Sequence, residues 1–192
     1  MQAHLRLEGI VGIAGTPGTG KKSVAPLVAA RLGLACQGIN EAARALGVPV
    51  SQDGAVDTDD LKAKLRGAGG PSVVYGHLLP YVFDRDAVSK VIILRCEPSA
   101  LKERLLQRGY SRQKVVENVE AELIGLEASD AYDAFGPSRT FEVDTTHLTP
   151  ESCARKIVAV LLGKKKPARR IDWVGTYDSG AKLKFLLSVA RS

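Results

Sequence analysis

The chain has 192 residues, with 45% hydrophobic and 25% charged side chains, a formal net charge of +6 and three cysteines. This length and composition fit one globular domain; no apolar stretch approaches the roughly 20 residues that span a bilayer, and the N-terminus lacks the apolar core of a signal peptide. The three widely spaced cysteines indicate neither a disulfide framework nor a zinc site, so we expect a cytoplasmic protein without membrane contact.

Strand patterns alternate with helical patterns along the chain. The apolar run Ile10–Ala14 predicts the first strand, and apolar residues at helical spacing predict a helix at Lys21–Leu32. Further helices are predicted at residues 41–46, 59–65, 99–107, 112–126 and 150–162, and further strands at residues 72–75, 91–94 and 140–143. This alternation predicts an α/β fold in which helices cover both faces of a mostly parallel sheet.

Three turns follow the carboxyl ends of predicted strands, at Gly15, at residues 76–77 and at residues 95–96. Ligands of open parallel sheets bind in the crevice at this edge. We therefore expect these turns to border one ligand site.

The sequence GTPGTGKKS, residues 15–23, lies between the first predicted strand and the first predicted helix. Glycines there let backbone N–H groups point at phosphate oxygens, and the helix N-terminus adds partial positive charge. We expect Lys21 to reach the β- and γ-phosphates of ATP and to act in catalysis. The residues predicted to bind the nucleotide are Gly15, Gly18, Thr19, Gly20, Lys21, Lys22 and Ser23. The alternative is a turn that only links a strand to a helix.

One position departs from the usual phosphate loop. Lys22 stands where Ser or Thr normally contacts Mg²⁺, and Ser23 comes one residue later. Ser23 is therefore the predicted ligand of Mg²⁺, the second expected cofactor. Lys22 either points away from the nucleotide or partly replaces the charge of magnesium.

A basic cluster surrounds Gly109, with Arg104 and Arg108 four residues apart on one predicted helix face. Arginines beside a glycine hinge are typical of a lid that closes on phosphates, here over residues 108–118. Arg108 is the candidate for binding the nucleotide and for catalysis, and Arg104 is the candidate for binding the substrate. A solvated basic helix face would show the same pattern.

The remaining candidates lie near the expected crevice. His77 follows a strand end and is either catalytic or structural, while Tyr75 stands where many phosphate-loop enzymes have an acid that helps to hold magnesium. Glu41 and Arg44 belong to the segment 37–66, which is the candidate for a nucleoside monophosphate. Arg44 is suited to bind the phosphate of this nucleotide, although an arginine on the surface of a helix would fit the sequence equally well.

With these segments in place, the chain resembles the adenylate kinase-related NTPases of archaea and eukaryotes that take part in maturation of the small ribosomal subunit. The resemblance rests on residues 12–21, on the turn at residues 76–78, on residues 93–95 and above all on residues 101–122, LKERLLQRGYSRQKVVENVEAE. It covers about residues 8–162.

The resemblance implies a three-layer P-loop NTPase fold with a short lid, over residues 1–162. It also implies phosphoryl transfer from ATP to AMP, slower ATP hydrolysis and binding of a small-subunit ribosomal protein. By position, Gly18, Gly20, Lys21, Lys22 and Ser23 would hold the ATP phosphates, Arg108 would be the lid arginine, Arg44 would face AMP and His77 would belong to the second magnesium motif. Because Lys22 and Tyr75 depart from the family pattern, the alternative is a nucleotide-dependent assembly factor with weak or lost kinase activity.

All of the excess positive charge lies in residues 163–192, which contain eight basic and two acidic side chains. Basic residues interleaved with Trp173 and Tyr177 predict a tail that grips RNA phosphates and stacks on bases, and the resemblance implies that this RNA is ribosomal. A solubilising terminus is the alternative. The apolar residues between 183 and 189 are expected to dock back on the domain. Removal of residues 163–192 should therefore spare nucleotide binding but weaken RNA binding.

Overall fold

The computed structural model describes residues 8–51, 55–67, 70–166 and 170–177, together with Gly180 and Lys184. Within these ranges, five strands form one parallel sheet in the order β2-β3-β1-β4-β5. The strands are β1 Ile10–Ala14, β2 Ala35–Gly38, β3 Ser72–Tyr75, β4 Val88–Arg95 and β5 Thr140–Asp144. The predicted α/β fold with a parallel sheet is confirmed.

The helices cover both faces of this sheet, as predicted. They are α1 Lys21–Leu32, α2 Ile39–Ala45, α3 Thr58–Leu65, α4 Leu79–Val82, α5 Pro98–Gln107, α6 Arg112–Ile124, α7 Leu126–Phe135, α8 Pro150–Leu161 and α9 Trp173–Thr176. One apolar cluster joins α1 and α8 to one face of the sheet, and a second joins α2, α3, α4 and α7 to the other. A third cluster lies between α5, α6 and α9.

The helix predicted over residues 112–126 is confirmed as α6, but it ends two residues earlier, at Ile124. Gly125 has φ +70° and ends α6, and its N–H donates to the carbonyl of Glu122 at 3.1 Å. A Cβ on Gly125 would lie 3.3 Å from Nη1 of Arg95, so glycine also lets the chain pass close to a buried guanidinium. The chain then starts α7, which packs against β4 rather than continuing along α5.

The ends of three neighbouring strands meet at one edge of the sheet. Ile13 pairs with Tyr75 of β3 and with Ile92 of β4, and the N–H of Gly76 donates to the carbonyl of Ile13 at 3.1 Å. The turns after β1, β3 and β4 therefore border one crevice, as the sequence predicts.

Residues 170–177, here called the docked segment, pack onto α5 and α6. Trp173 and Tyr177 are only 9% and 8% exposed, in one cluster with Leu101, Leu105 and Val115. Rings inside a core cannot stack on RNA bases, so that prediction is wrong for these two residues. The predicted apolar docking by Leu183, Phe185, Leu186, Leu187 and Val189 lies outside the described residues.

Of the helices in the described ranges, none combines the length and apolarity that crossing a bilayer requires.

Candidate functional site

The glycine-rich loop, residues 15–20, connects β1 to α1. Gly15, Gly18 and Gly20 have φ of +131°, +96° and +106°, conformations that other residues rarely adopt. A Cβ on Gly18 would also lie 2.6 Å from Cδ1 of Leu101, so the loop packs closely on α5. Helix α1 has no side-chain cap at Gly20 and no acidic residue in its first turn. The positive end of its dipole therefore faces the loop without local neutralisation, which fits a bound polyphosphate.

Lys21 turns back over this loop. Its Nζ donates to the carbonyls of Gly15 and Thr16, the latter at 3.0 Å. Burial lowers the pKa of Lys21 to about 8; the charges of Arg108 and Lys22 act in the same direction, and those of Glu127 and Glu122 oppose it. A phosphate group in the loop would compete with the two carbonyls for the ammonium group.

Two carboxylates near Lys21 were not predicted as site residues. Glu122 lies in α6 and is 1% exposed, while Glu127 lies in the first turn of α7. Burial raises the pKa of Glu127 to about 7, although the charge of Lys21 opposes this shift.

We expect Glu127 to make nucleotide affinity depend on pH. Because its pKa is raised to about 7, the side chain is mostly neutral below that pH and becomes an anion that repels phosphates above it. Between pH 6 and 7.5, the affinity for ADP without Mg²⁺ should fall by up to about fourfold more in the wild type than in Glu127→Gln, because the neutral fraction of Glu127 falls by about this factor. Titration calorimetry at both pH values measures this difference.

The control is Asp133→Asn on the same helix, where the side chain is exposed. It should keep the wild-type pH dependence, and the ionisation of ADP itself is common to all three proteins. An equally steep fall in Glu127→Gln would contradict the prediction.

His77 and Tyr75 occupy the end of β3. Burial lowers the pKa of His77, and the charge of Lys21 lowers it further, which places His77 in the same crevice. The carboxylate of Glu41 lies beside the ring of Tyr75, and burial, followed by this carboxylate, raises the pKa of Tyr75. A Cβ on Gly38 would overlap Oε2 of Glu41, so this glycine makes room for the carboxylate. Glu41 thus places a carboxylate beside the end of β3, where Tyr75 stands in place of the usual acidic residue.

The predicted arginines take different positions. Arg108 caps the C-terminus of α5, is exposed, and its charge acts on Lys21. Arg104 donates from Nη2 to the carbonyls of Thr145 and Thr146 at 3.1 and 2.7 Å. It therefore holds the loop after β5, and its substrate role stays a prediction. Arg44 is exposed in the last turn of α2 and also stays a prediction.

The predicted magnesium ligand, Ser23, is exposed in the first turn of α1, as is Lys22. Among the described residues, no group of three or more His, Cys, Asp or Glu side chains is arranged to hold a metal ion. In nucleotide sites, Mg²⁺ is commonly bound by one or two protein groups together with phosphates and water. The role of Ser23 as the magnesium ligand therefore stays a prediction.

Comparisons with known proteins agree with this geometry. The family described as an AAA domain matches residues 11–125. The chain is 38% identical over 174 residues to "Putative adenylate kinase" of Thermococcus onnurineus (strain NA1), over 88% of this chain and 93% of that protein. It is 35% identical over 173 residues to the protein of the same name from Natronomonas pharaonis, over 88% and 96%.

Solved structures show the same fold at low sequence identity. Shikimate kinase from Bacteroides thetaiotaomicron superposes with a TM-score of 0.53 at 13% identity, over 80% of this chain and 98% of that one. A gluconokinase from Sinorhizobium meliloti 1021 has a TM-score of 0.53 at 20% identity, over 83% and 94%. The fold is therefore the P-loop fold that kinases share.

Proposed function

Because the chain belongs to the AAA-domain family that includes the archaeal proteins named "Putative adenylate kinase", we propose that it transfers the γ-phosphoryl group of ATP to AMP. The observation that carries this proposal is the ammonium of Lys21, which donates to two carbonyls of a glycine-rich loop and lies within reach of the charges of Arg108 and Glu127. Residues 1–162 would form the kinase domain, with slow ATP hydrolysis as a side reaction in the cytoplasm.

The proposed mechanism begins with the glycine-rich loop. Its N–H groups bind the β- and γ-phosphates, and Lys21 exchanges the carbonyls of Gly15 and Thr16 for phosphate oxygens. There it neutralises the charge that grows during transfer. Bound Mg²⁺ would supply further positive charge to the same oxygens, with Ser23 as its ligand from this chain.

The lid would complete the site. Arg108 precedes Gly109, which has φ +74° and gives the lid of residues 108–118 its turn. A closing lid brings the guanidinium to the phosphates and excludes water. His77, kept neutral by burial and by Lys21, can donate a hydrogen bond without adding charge.

The acceptor would bind over residues 37–66, at the edge formed by β2 and β3. Arg44 would hold the AMP phosphate, and Glu41 would contact the acceptor from its place beside Tyr75. Arg104 would contribute indirectly, because Thr145, whose carbonyl it binds, has its Oγ1 3.1 Å from the carbonyl of Thr19 in the glycine-rich loop.

We expect Arg44→Ala to raise KM for AMP about tenfold or more and to leave KM for ATP unchanged, because a lost charged hydrogen bond weakens binding by this factor. Formation of ADP from ATP, AMP and Mg²⁺ measures both constants. Arg31→Ala, an exposed arginine at the end of α1, is the matched control. A protein that binds ATP but forms no ADP with AMP would contradict the proposed function.

A second candidate function is a nucleotide-dependent assembly factor that binds a small-subunit ribosomal protein and ribosomal RNA. It is favoured by the eight basic residues among 163–192 and by Tyr75 in place of an acid. Binding of single-stranded RNA by the full chain should then weaken steeply between 50 and 200 mM salt. Affinity that does not change with salt would contradict it.

A further inference from the structure

One buried carboxylate connects the docked segment to the glycine-rich loop. Glu122 accepts a hydrogen bond from Thr16 Oγ1 on Oε2 at 2.6 Å and one from Trp173 Nε1 on Oε1 at 3.0 Å. Glu122 and Thr16 are each 1% exposed. The indole of the docked segment and the hydroxyl of the loop are therefore held by the two oxygens of one side chain.

The orientation of Glu122 is set by its other donors. Nε of Arg95 donates to Oε1 at 2.7 Å, and the N–H of Cys96 donates to the same oxygen at 3.0 Å. Nη1 of Arg95 donates to Glu142, which also accepts from the N–H of Ile171. A buried carboxylate needs such donors, and the docked segment supplies one to each of the two acids.

The same carboxylate acts on Lys21. Its charge attracts the ammonium group, which is hydrogen bonded to the carbonyl of Thr16, the residue whose hydroxyl Glu122 holds. A phosphate that draws Lys21 away from Thr16 removes the cation from this contact. Thr16, Glu122 and Trp173 form a continuous chain of contacts along which such a change can pass.

We propose that Glu122 is a positioning residue of the glycine-rich loop and that Trp173 fixes its orientation, so that nucleotide affinity depends on the docking of residues 170–177. The proposal rests on the proposed function only in that the loop binds a nucleotide. Because coupling between two sites is reciprocal, a bound nucleotide also stabilises the docked segment. Removal of residues 163–192 should then weaken nucleotide binding, contrary to the expectation from sequence alone.

The first experiment compares two substitutions within the docked segment of the full chain. Trp173→Phe removes the indole donor and keeps an aromatic ring in the core. Tyr177→Phe removes only the hydroxyl that lies 2.7 Å from Oγ of Ser99, and does not reach Glu122. In titration calorimetry with ADP, Trp173→Phe should bind about tenfold more weakly than the wild type, and Tyr177→Phe within about twofold of it.

The second experiment uses the fluorescence of Trp173, the only tryptophan in the chain. Saturating ADP should change its emission in the wild type. Thr16→Val keeps the β-branched shape but removes the donor to Glu122, so saturating ADP should no longer change the emission. If Glu122 had only a structural role, nucleotide binding at the loop would not change the emission of Trp173.

Each outcome supports or overturns the proposal. Equal ADP affinity of the Trp173→Phe and Tyr177→Phe proteins would overturn it, as would an unchanged emission response in Thr16→Val. If Trp173→Phe does not fold, the emission measurement decides alone. Binding of ADP without phosphoryl transfer to AMP would contradict only the proposed function, whereas a wild-type protein that binds no nucleotide would overturn both.

Discussion

Replacement of Lys21 by alanine should lower the rate of phosphoryl transfer from ATP to AMP by about 10³-fold. The ammonium group donates to two carbonyls of the glycine-rich loop itself. Without it, the charge that develops on the transferred group is left to the backbone N–H groups and Mg²⁺. Steady-state formation of ADP and single-turnover assays with labelled ATP measure the loss.

The neighbouring lysine provides the matched control. Lys22 is exposed in the first turn of α1, and its substitution by alanine tests the two interpretations that the sequence left open. If Lys22 points away from the nucleotide, the Mg²⁺ dependence stays as in the wild type; if it replaces part of the magnesium charge, the Mg²⁺ concentration required for half-maximal rate rises. Wild-type turnover by Lys21→Ala would refute the proposed site.

The largest effect on stability is expected from Arg95→Met, which should lower the free energy of unfolding by about 3–5 kcal/mol. Arg95 is 2% exposed and donates to Glu122 at 2.7 Å and to Glu142 at 2.6 Å. Its Nη2 also donates to the carbonyl of Glu122 at 2.8 Å. Methionine fills similar space but leaves two carboxylates buried without their cation. Urea denaturation, followed by circular dichroism, measures the change.

A surface ion pair serves as the comparison for this loss. Lys64 contacts Asp60 at 3.0 Å one helical turn away, and both side chains are well exposed. Lys64→Gln should leave the denaturation midpoint almost unchanged, because water already solvates both charges. A similar midpoint for Arg95→Met and Lys64→Gln would show that the buried carboxylates do not need the guanidinium.

The sequence predicted those parts of the fold that depend on local patterns. Apolar runs located β1, β3 and the second half of β4, and the glycine-rich loop was evident from its own residues. Strand β2 was not predicted, because Ala35, Cys36 and Gln37 are exposed and carry no strand pattern. It is a strand because its backbone pairs with β3 at the edge of the sheet.

The candidate site was predictable only in part, for a similar reason. Lys21 and His77 follow from strand ends, whereas the burial of Glu122 depends on partners that are far away in sequence. Arg95 is 27 positions from it and Trp173 is 51 positions from it. No local pattern distinguishes such a carboxylate from one on a solvated helix face.

Composition also explains why Trp173 and Tyr177 were wrongly predicted to stack on RNA bases. Basic residues beside aromatic ones fit RNA binding and core packing equally well. In the structure, the guanidinium of Arg170 stacks on the ring of Tyr132, with Cζ 3.9 Å from the ring centroid, and Trp173 lies in the core. The four-residue spacing of Trp173 and Tyr177, which places both on one helix face, was the signal for packing.

The docked segment has a consequence for the order in which the protein is completed during synthesis. The glycine-rich loop leaves the ribosome early, but the cluster between α5 and α6 also contains Trp173 and Tyr177, near the end of the chain. A nascent chain that ends before these residues exposes Leu101, Leu105 and Val115 to water. The domain therefore completes its core only after Tyr177 has been synthesised, and products truncated before Trp173 should be recognised by chaperones or proteases.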